Sequence, residues 1–366
     1  MNRNKNKNKL SPVRPVLISS SDVFYNYPLY LEHLIAGLAN ESVSMCLVCG
    51  FEYGINTGTL PMVQIVRYPF YDLPVFWYQN RERLFEKLYE FQPNVVHCLC
   101  PSREPLARRI SRRLDIPYLL TVNSGPFRLG RFQLKSRRLA GVIAPNERVK
   151  DGLIKEYPSL RSKICRINMG TFVSESTICF DDNDRLPSVI TACPQRAEKL
   201  KLFLEAVKYL VITGYEFLLI IIANGRSEKV LRKMIASLGL AQVTVIVPRI
   251  EPWRSVLGAG DIYIRVADGN YYDPLMLEAM GVGIAVAACE NGSDDIAIDR
   301  RTAVKFDPED ELDMVDALKK LLGAHEYARE LAANAQEYLR KRHSVTSMVS
   351  STLDIYAEAS GLTIDY

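Results

Sequence analysis

Thirteen short apolar runs, separated by amphipathic or polar stretches, pattern the chain from end to end and leave few folds open to it. In the first half they read PVLISS (15–20), VSMCLVCG (43–50), VQIVRY (63–68), NVVHCLC (94–100), YLLTVN (118–123), GVIAPN (141–146) and KICRIN (163–168). In the second half they read SVITAC (188–193), EFLLIIIAN (216–224), VTVIVPR (243–249), DIYIRVA (261–267), IAVAAC (284–289) and TAVKF (302–306). A strand that is apolar on both faces needs cover on both faces, which a parallel sheet between two layers of helices provides. Helical patterns fall in the gaps, for example LYLEHLIAGLA and RERLFEKLYEF. Between the first two strands of the second half, Phe203, Ala206, Val207, Leu210 and Val211 share one helical stripe. From Glu311 onward the pattern is helical to near the end, with a break around His343 to Thr346.

At 366 residues the chain exceeds one typical core, and the two sets of strands predict two α/β domains, each a Rossmann-like, doubly wound parallel sheet. The polar, basic opening reads as a disordered tail over 1–13, followed by a first domain over 14–172. TFVSESTICFDDNDRLP is acidic and unpatterned, so 173–187 reads as a linker, and a second domain spans 188–344. The last helix, about 345–366, is expected to return to the first domain. Ligands in such sheets bind outside the strands' carboxyl ends, so a cleft between the two domains is the expected site.

The charge is uneven. Up to Glu175 there are 25 Lys/Arg against 14 Asp/Glu; beyond it, 21 against 28. A basic first half beside an acidic second half suggests an anionic partner for the first. Arg108, Arg109, Arg112 and Arg113 lie between Leu106, Ile110 and Leu114, which form one helical stripe. Arg128, Arg131, Lys135, Arg137 and Arg138 follow shortly. The first four are the candidate contact with an anionic membrane, since each basic residue near such a surface is worth about 1 kcal/mol. No nucleic-acid recognition motif accompanies them, so no nucleic acid is expected. The longest apolar run, FLLIIIA (217–223), is too short to cross a bilayer, and no secretory segment opens the chain. Eight cysteines, mostly within apolar runs, read as reduced buried thiols of a cytoplasmic protein. Cys46 and Cys49 have CxxC spacing, but on a strand they point to opposite faces.

The stretch GNYYDPLMLEAMGVGIAVAAC (269–289) concentrates the candidate chemistry. Asp273 suits a helix N-cap and Pro274 the first helical position; Gly281 and Gly283 end the helix. Glu278 sits one turn inside this otherwise apolar helix and must reach solvent, a cation or a ligand. The helix start, with free N–H groups and a positive dipole end, suits a phosphate. Two further strand-to-helix turns, at Asn224–Gly225 and at Gly292–Ser293, are able to offer backbone N–H groups. Asp181, Asp182 and Asp184 have the spacing of a metal-binding acidic motif, yet lie in the linker and read as a solvated turn.

PNVVHCLCPSREPLARRISRRLDIPYLLTVN and AGVIAPNERVKDGLIKEYPSLRSKICRINMGTFV are similar to the first domain of the retaining family-four glycosyltransferases, which have the GT-B fold. DPLMLEAMGVGIAVAACENGSDDI and TAVKFDPEDELDMVDALKKLL are similar to that family's nucleotide-sugar segment. The resemblance implies that Glu278 binds the donor ribose and that Lys199 neutralises its diphosphate. The family arginine falls on Pro194, with Arg196 two residues on in reach of the same phosphates. Tyr271 and Leu275, beside Asp273, join the implied donor contacts with Asn224, Gly225 and Gly292. Other hallmark positions depart from the pattern. The first glutamate of the family's pair falls on Asn270, the second histidine of its His-x-His strand end on Leu99, leaving His97, and the histidine ending the next strand on Asn123. The glycine-rich first loop is replaced by SSSDVFYNYPLY. His97, Asn123 and Asn270 are thus the candidate catalytic positions.

The resemblance implies a metal-independent hexosyltransferase without a cofactor, taking a nucleotide sugar as donor and a glycan or lipid-linked acceptor in cell-surface polysaccharide synthesis. It would work in the cytoplasm or at the inner face of the membrane. The altered positions leave a second expectation, a non-catalytic GT-B partner or regulator of an active glycosyltransferase.

Overall fold

The structure, a computed structural model, describes residues 12–51, 61–69, 76–125, 136–182, 184–194, 196–223, 225–248, 253–266, 273–290 and 295–362. The expected tail falls largely outside the described residues. The chain divides into two compact units, residues 1–170 with 345–366, and residues 171–344.

In the first unit, β1 (Pro15–Ile18) leads through α1 (Ser21–Asn26) and α2 (Pro28–Asn40) to β2 (Met45–Cys49) and β3 (Val63–Arg67). Then come α3 (Trp77–Phe91), β4 (Val95–Cys98), α4 (Glu104–Leu114), β5 (Tyr118–Thr121), β6 (Leu139–Ala144), α5 (Glu147–Glu156) and β7 (Ile164–Arg166). The strands form one sheet in the order β3-β2-β1-β4-β5-β6-β7, parallel throughout. β1 is paired on both sides, Leu17 with Leu47 of β2 and His97 of β4. All residues of β1, β2, β4 and β5 are buried, as two-faced cover demands. Part of that cover comes from the C-terminal helix, Val345–Ser360, which packs on α2, where Gly37 has no side chain to obstruct Val345 and Val349.

In the second unit the order along the chain is β8 (Ser188–Ala192), α6 (Lys201–Ile212), β9 (Leu218–Ile222), α7 (Gly225–Leu238), β10 (Thr244–Val247) and α8 (Trp253–Leu257). It continues with β11 (Ile262–Arg265), α9 (Pro274–Val282), β12 (Ala285–Cys289), β13 (Val304–Phe306), α10 (Glu311–Gly323) and α11 (His325–Arg342). The sheet runs β10-β9-β8-β11-β12-β13, again parallel throughout. In both sheets the first strand lies between the second and the fourth, so each reverses its winding beside its first strand. The crevice at that point, β1/β4 in one unit and β8/β11 in the other, is where doubly wound sheets take ligands.

The expected linker is part of the second unit. Ser174 N–H donates to the Gly281 carbonyl at 2.9 Å and Ile178 N–H to that of Gly283 at 3.0 Å, so the segment straps the end of α9. Phe180 is buried, stacks on His325 at 4.0 Å, and its N–H donates to Asp261 Oδ1 at 2.7 Å. The acidic residues mask three apolar ones, Ile178, Cys179 and Phe180, too short a run to register as an element. The expected stripe of α4 faces the core: Ile110 is buried in it, and Leu106 and Leu114 pack against it, partly buried. Ala107 and Ser111 are buried beside them, and so is Glu104, whose carboxylate accepts from Tyr118 Oη at 2.9 Å and pairs with Arg108 at 3.2 Å.

Candidate functional site

The local sequence forms α9 as expected. Asp273 accepts from the N–H groups of Leu275 and Met276, at 3.0 and 3.3 Å, Pro274 opens the first turn, and Gly283 ends the helix at φ +90°. Every residue of the helix is buried, Leu275 included. The expectation of a free helix start is corrected here. Asp273 satisfies two of the exposed donors and brings its own negative charge, and its other oxygen accepts from Tyr263 Oη at 2.9 Å. The helix start is therefore not an open phosphate site.

Glu278 is 1% exposed. One carboxylate oxygen accepts from Thr171 Oγ1 at 2.6 Å, and the other from Arg254 Nη1 at 3.0 Å. Arg254, from the short helix α8, also donates to the Phe172 carbonyl at 2.7 Å and to Ser174 Oγ at 3.3 Å. The guanidinium thus joins α9 to the strap. A buried carboxylate must find a charge partner, and of the three options open to Glu278 the fold supplies the cation. Arg254 was not legible as that partner. The only signal was the need itself, and many arginines in the chain could have met it.

The turn after β8 carries two exposed cations. Arg196 and Lys199 lie on one turn, in which Lys199 N–H donates to the Arg196 carbonyl at 3.1 Å. Beside it, Gly225 begins α7 at φ +60°, a conformation glycine adopts without strain. Cys193, at the end of β8, has its thiol pushed up to about 11 by burial, against a hydrogen bond with Ser227 in the first turn of α7. The carboxyl ends of β9 and β8 therefore meet here, at the point where the winding reverses toward β11. Asn224, Asn270, Tyr271 and Gly292 lie outside the described residues.

In the first unit, His97 is a satisfied core histidine. It is fully buried, with Nδ1 2.6 Å from Tyr356 Oη and Nε2 2.7 Å from Thr121 Oγ1. Burial lowers its pKa to about 3, so the ring is neutral at physiological pH. With both ring nitrogens engaged it is not placed to shuttle a proton to a substrate. Asn123 follows β5 in a nearly closed position; its carbonyl accepts from Tyr27 Oη at 3.4 Å, while among the described residues its side-chain Oδ1 has no hydrogen-bond partner. Ser19, just past β1, is fully buried and its hydroxyl is likewise unpartnered.

The arginines of α4 are not equivalent. Arg108 pairs with Glu104, Arg113 stacks over the Phe85 ring with its guanidinium carbon 5.7 Å from the centroid, and Arg109 is half-buried. Arg112 and Arg113 are exposed. Asp184 N–H donates to Asp182 Oδ1 at 3.0 Å, a local turn. Among the described residues no three His, Cys, Asp or Glu side chains come together as a metal site. None of the described helices is long and apolar enough to cross a membrane.

Comparison with known proteins places these features. Residues 188–324 match the family model described as glycosyl transferases group 1. No curated protein matches the chain. Among solved structures, a glycosyltransferase from Rickettsia africae ESF-5 is similar over 95% of this chain and 98% of its own, with TM-score 0.77 and 16% identity. Sucrose-phosphate synthase from Thermosynechococcus elongatus is similar over 94% and 98%, with TM-score 0.73 and 14% identity. Anabaena Alr3699/HepE, in complex with UDP and glucose, is similar over 94% and 100%, with TM-score 0.74 and 13% identity. The chain accordingly has the two-domain, Rossmann-like GT-B fold, and its residues 188–324 are similar to the group 1 glycosyl transferases.

Proposed function

We propose that the protein is a retaining, metal-independent glycosyltransferase. It moves a sugar from a nucleotide-sugar donor to a glycan or lipid-linked acceptor in cell-surface polysaccharide synthesis, in the cytoplasm or at the inner membrane face. One observation carries the donor half: the exposed Arg196 and Lys199 on a single turn at the carboxyl end of β8. A leaving diphosphate needs positive charge as its bond to the sugar breaks, and two adjacent cations provide it where another enzyme would use a metal ion. The match of residues 188–324 to a glycosyltransferase model and the UDP named with the Anabaena structure support the donor class. The family resemblance assigns Glu278 to the donor ribose, whose hydroxyls a carboxylate is suited to accept from. On the acceptor side, the unpartnered Ser19 hydroxyl and Asn123 amide oxygen support recognition of sugar hydroxyls.

A specific observation favours a second reading, a non-catalytic GT-B partner or regulator of an active transferase. Glu278 is nearly closed to solvent and already tied to Arg254 and Thr171, and Asp273 fills the start of α9. Calorimetry with nucleoside diphosphates (UDP first) and the parent nucleosides, with a donor-hydrolysis assay alongside, separates the two. Lys199→Ala should weaken the diphosphate by roughly 1.5–3 kcal/mol and leave the nucleoside unchanged. Glu278→Ala should weaken both. Asn270→Glu restores the carboxylate the family resemblance leads one to expect and should raise turnover with little change in affinity. Wild-type affinity in both Lys199→Ala and Glu278→Ala would remove the donor site. Normal nucleotide binding without turnover, in wild type and Asn270→Glu alike, would establish the non-catalytic reading.

A further inference from the structure

A third cation stands where the winding of the second sheet reverses, on the strand across the crevice from Arg196 and Lys199. Arg265 is the last residue of β11, whose carboxyl end borders that crevice beside β8. The register that pairs Tyr263 with Ile190 carries Arg265 to the level of Ala192, and on its other side Arg265 pairs with Ala288 of β12. Two alanines therefore flank it in the sheet and leave room for its long side chain. Ala192 also ends β8, so the chain enters the turn of Arg196 and Lys199 from the neighbouring strand, about 4.8 Å away. Arg196 and Lys199 are exposed, whereas Arg265 is 8% exposed.

Tyr263 and Arg265, two residues apart on the strand, share a face and meet one carboxylate. Asp273 Oδ2 accepts from Tyr263 Oη at 2.9 Å, and Arg265 Nε lies 3.9 Å from that same oxygen. The other oxygen, Oδ1, caps the first turn of α9. Asp273 is thus fixed from two sides, and Arg265 sets a positive charge against its negative one. Without that charge, the carboxylate at the start of α9 would repel an anion in the crevice.

We propose that Arg265 is a further donor-binding residue, a buried cation that holds the diphosphate of the nucleotide sugar from the β11 side while Arg196 and Lys199 hold it from the β8 side. The inference rests on the donor reading above and explains how an acidic helix cap can stand beside a diphosphate. Exposed charges are screened by water and salt, and a buried one much less, so Arg265 contributes strongly to the preference for diphosphate over nucleoside. Its planar guanidinium also matches two phosphate oxygens at once, which an ammonium does not.

Calorimetry of the wild type with UDP, GDP, ADP, CDP and dTDP, and with their nucleosides, finds the diphosphate it binds. Arg265→Gln should weaken that diphosphate at least about tenfold and its nucleoside less than about twofold. Arg265→Gln also takes this cation from Asp273, so the comparison is repeated in Asp273→Asn, which keeps a capping side chain and leaves neither charge. There too, Arg265→Gln should cost the diphosphate about tenfold, and this pair supplies the result if the single variant fails to fold. A loss seen only with Asp273 intact would mean that Arg265 serves the helix cap alone, and would overturn the proposal. So would an equal loss for diphosphate and nucleoside, or no loss at all. If Lys199→Ala still weakens the diphosphate selectively in that case, the donor site stands without Arg265. A wild type that binds none of these diphosphates would remove the donor reading and this inference with it.

Discussion

Removing Arg254 tests whether Glu278 is held by the fold or held open for a ligand. In Arg254→Ala the Glu278 carboxylate, 1% exposed, loses its cation and keeps the Thr171 hydroxyl. Breaking a buried pair from one side costs roughly 3–5 kcal/mol, because the remaining charge stays out of water without its cation. The Arg254 side chain is 31% exposed, which screens the pair, so a loss of about 3 kcal/mol is expected. Glu278→Ala should cost less, about 1–2 kcal/mol, since the freed guanidinium can turn toward water and keeps its bonds to Phe172 and Ser174. The double variant should fall well short of the sum, giving a coupling energy of roughly 2 kcal/mol. Two units do not unfold as one transition, so the readout is hydrogen exchange of the α9 amides in increasing urea. Additive losses below about 0.5 kcal/mol each would refute the reasoning and return Glu278 to the role of a free ligand contact.

Three further outcomes follow from the same geometry. His97 is neutral in the fold with its pKa near 3, while the unfolded chain titrates near 6.5, so below 6.5 only the unfolded state gains this proton. Stability of the first unit should fall by about 1.36 kcal/mol per pH unit from this residue, about 2 kcal/mol between pH 6.5 and 5, and His97→Gln should remove that part of the slope in urea titrations. Equal slopes would show that His97 titrates normally. At Gly283 an added Cβ would lie 2.6 Å from Gln336 Nε2 and 2.7 Å from Thr177 Cα, at a φ of +90° that L-residues avoid. Gly283→Ala should therefore cost about 2 kcal/mol and lower the melting temperature by about 4–8 °C; an unchanged melting curve would mean that the strap yields. If the first unit meets anionic lipid through α4, Arg112→Gln with Arg113→Gln should weaken liposome sedimentation about 30-fold at low salt, and Arg108→Gln, already paired with Glu104, far less. Binding that ignores the exposed pair would place the contact elsewhere.

The alternation of apolar runs and helical stripes was sufficient to determine the architecture. A strand such as VVHC, buried on both faces, has no stable place except inside a parallel sheet, and thirteen such runs in two groups dictate two of them. The cap at Asp273, the stop at Gly283 and the break before Val345 were legible too, because each rests on backbone chemistry within a few residues. What a side chain touches across the fold was not. His97 looked like a candidate catalytic residue at a strand end; its partners, Tyr356 and Thr121, come from 259 and 24 residues away. Glu278 needed a cation, but its identity depended on α8 folding back beside α9. The segment 173–187 looked like a tether because its acidic surface outweighed three apolar residues, of which Cys179 and Phe180 are buried by the strap on α9. Local propensity acts over one or two turns of chain. The pairing of buried charge and the filling of a core are settled by whichever distant groups the topology brings within about 3 Å, and that choice belongs to the tertiary structure.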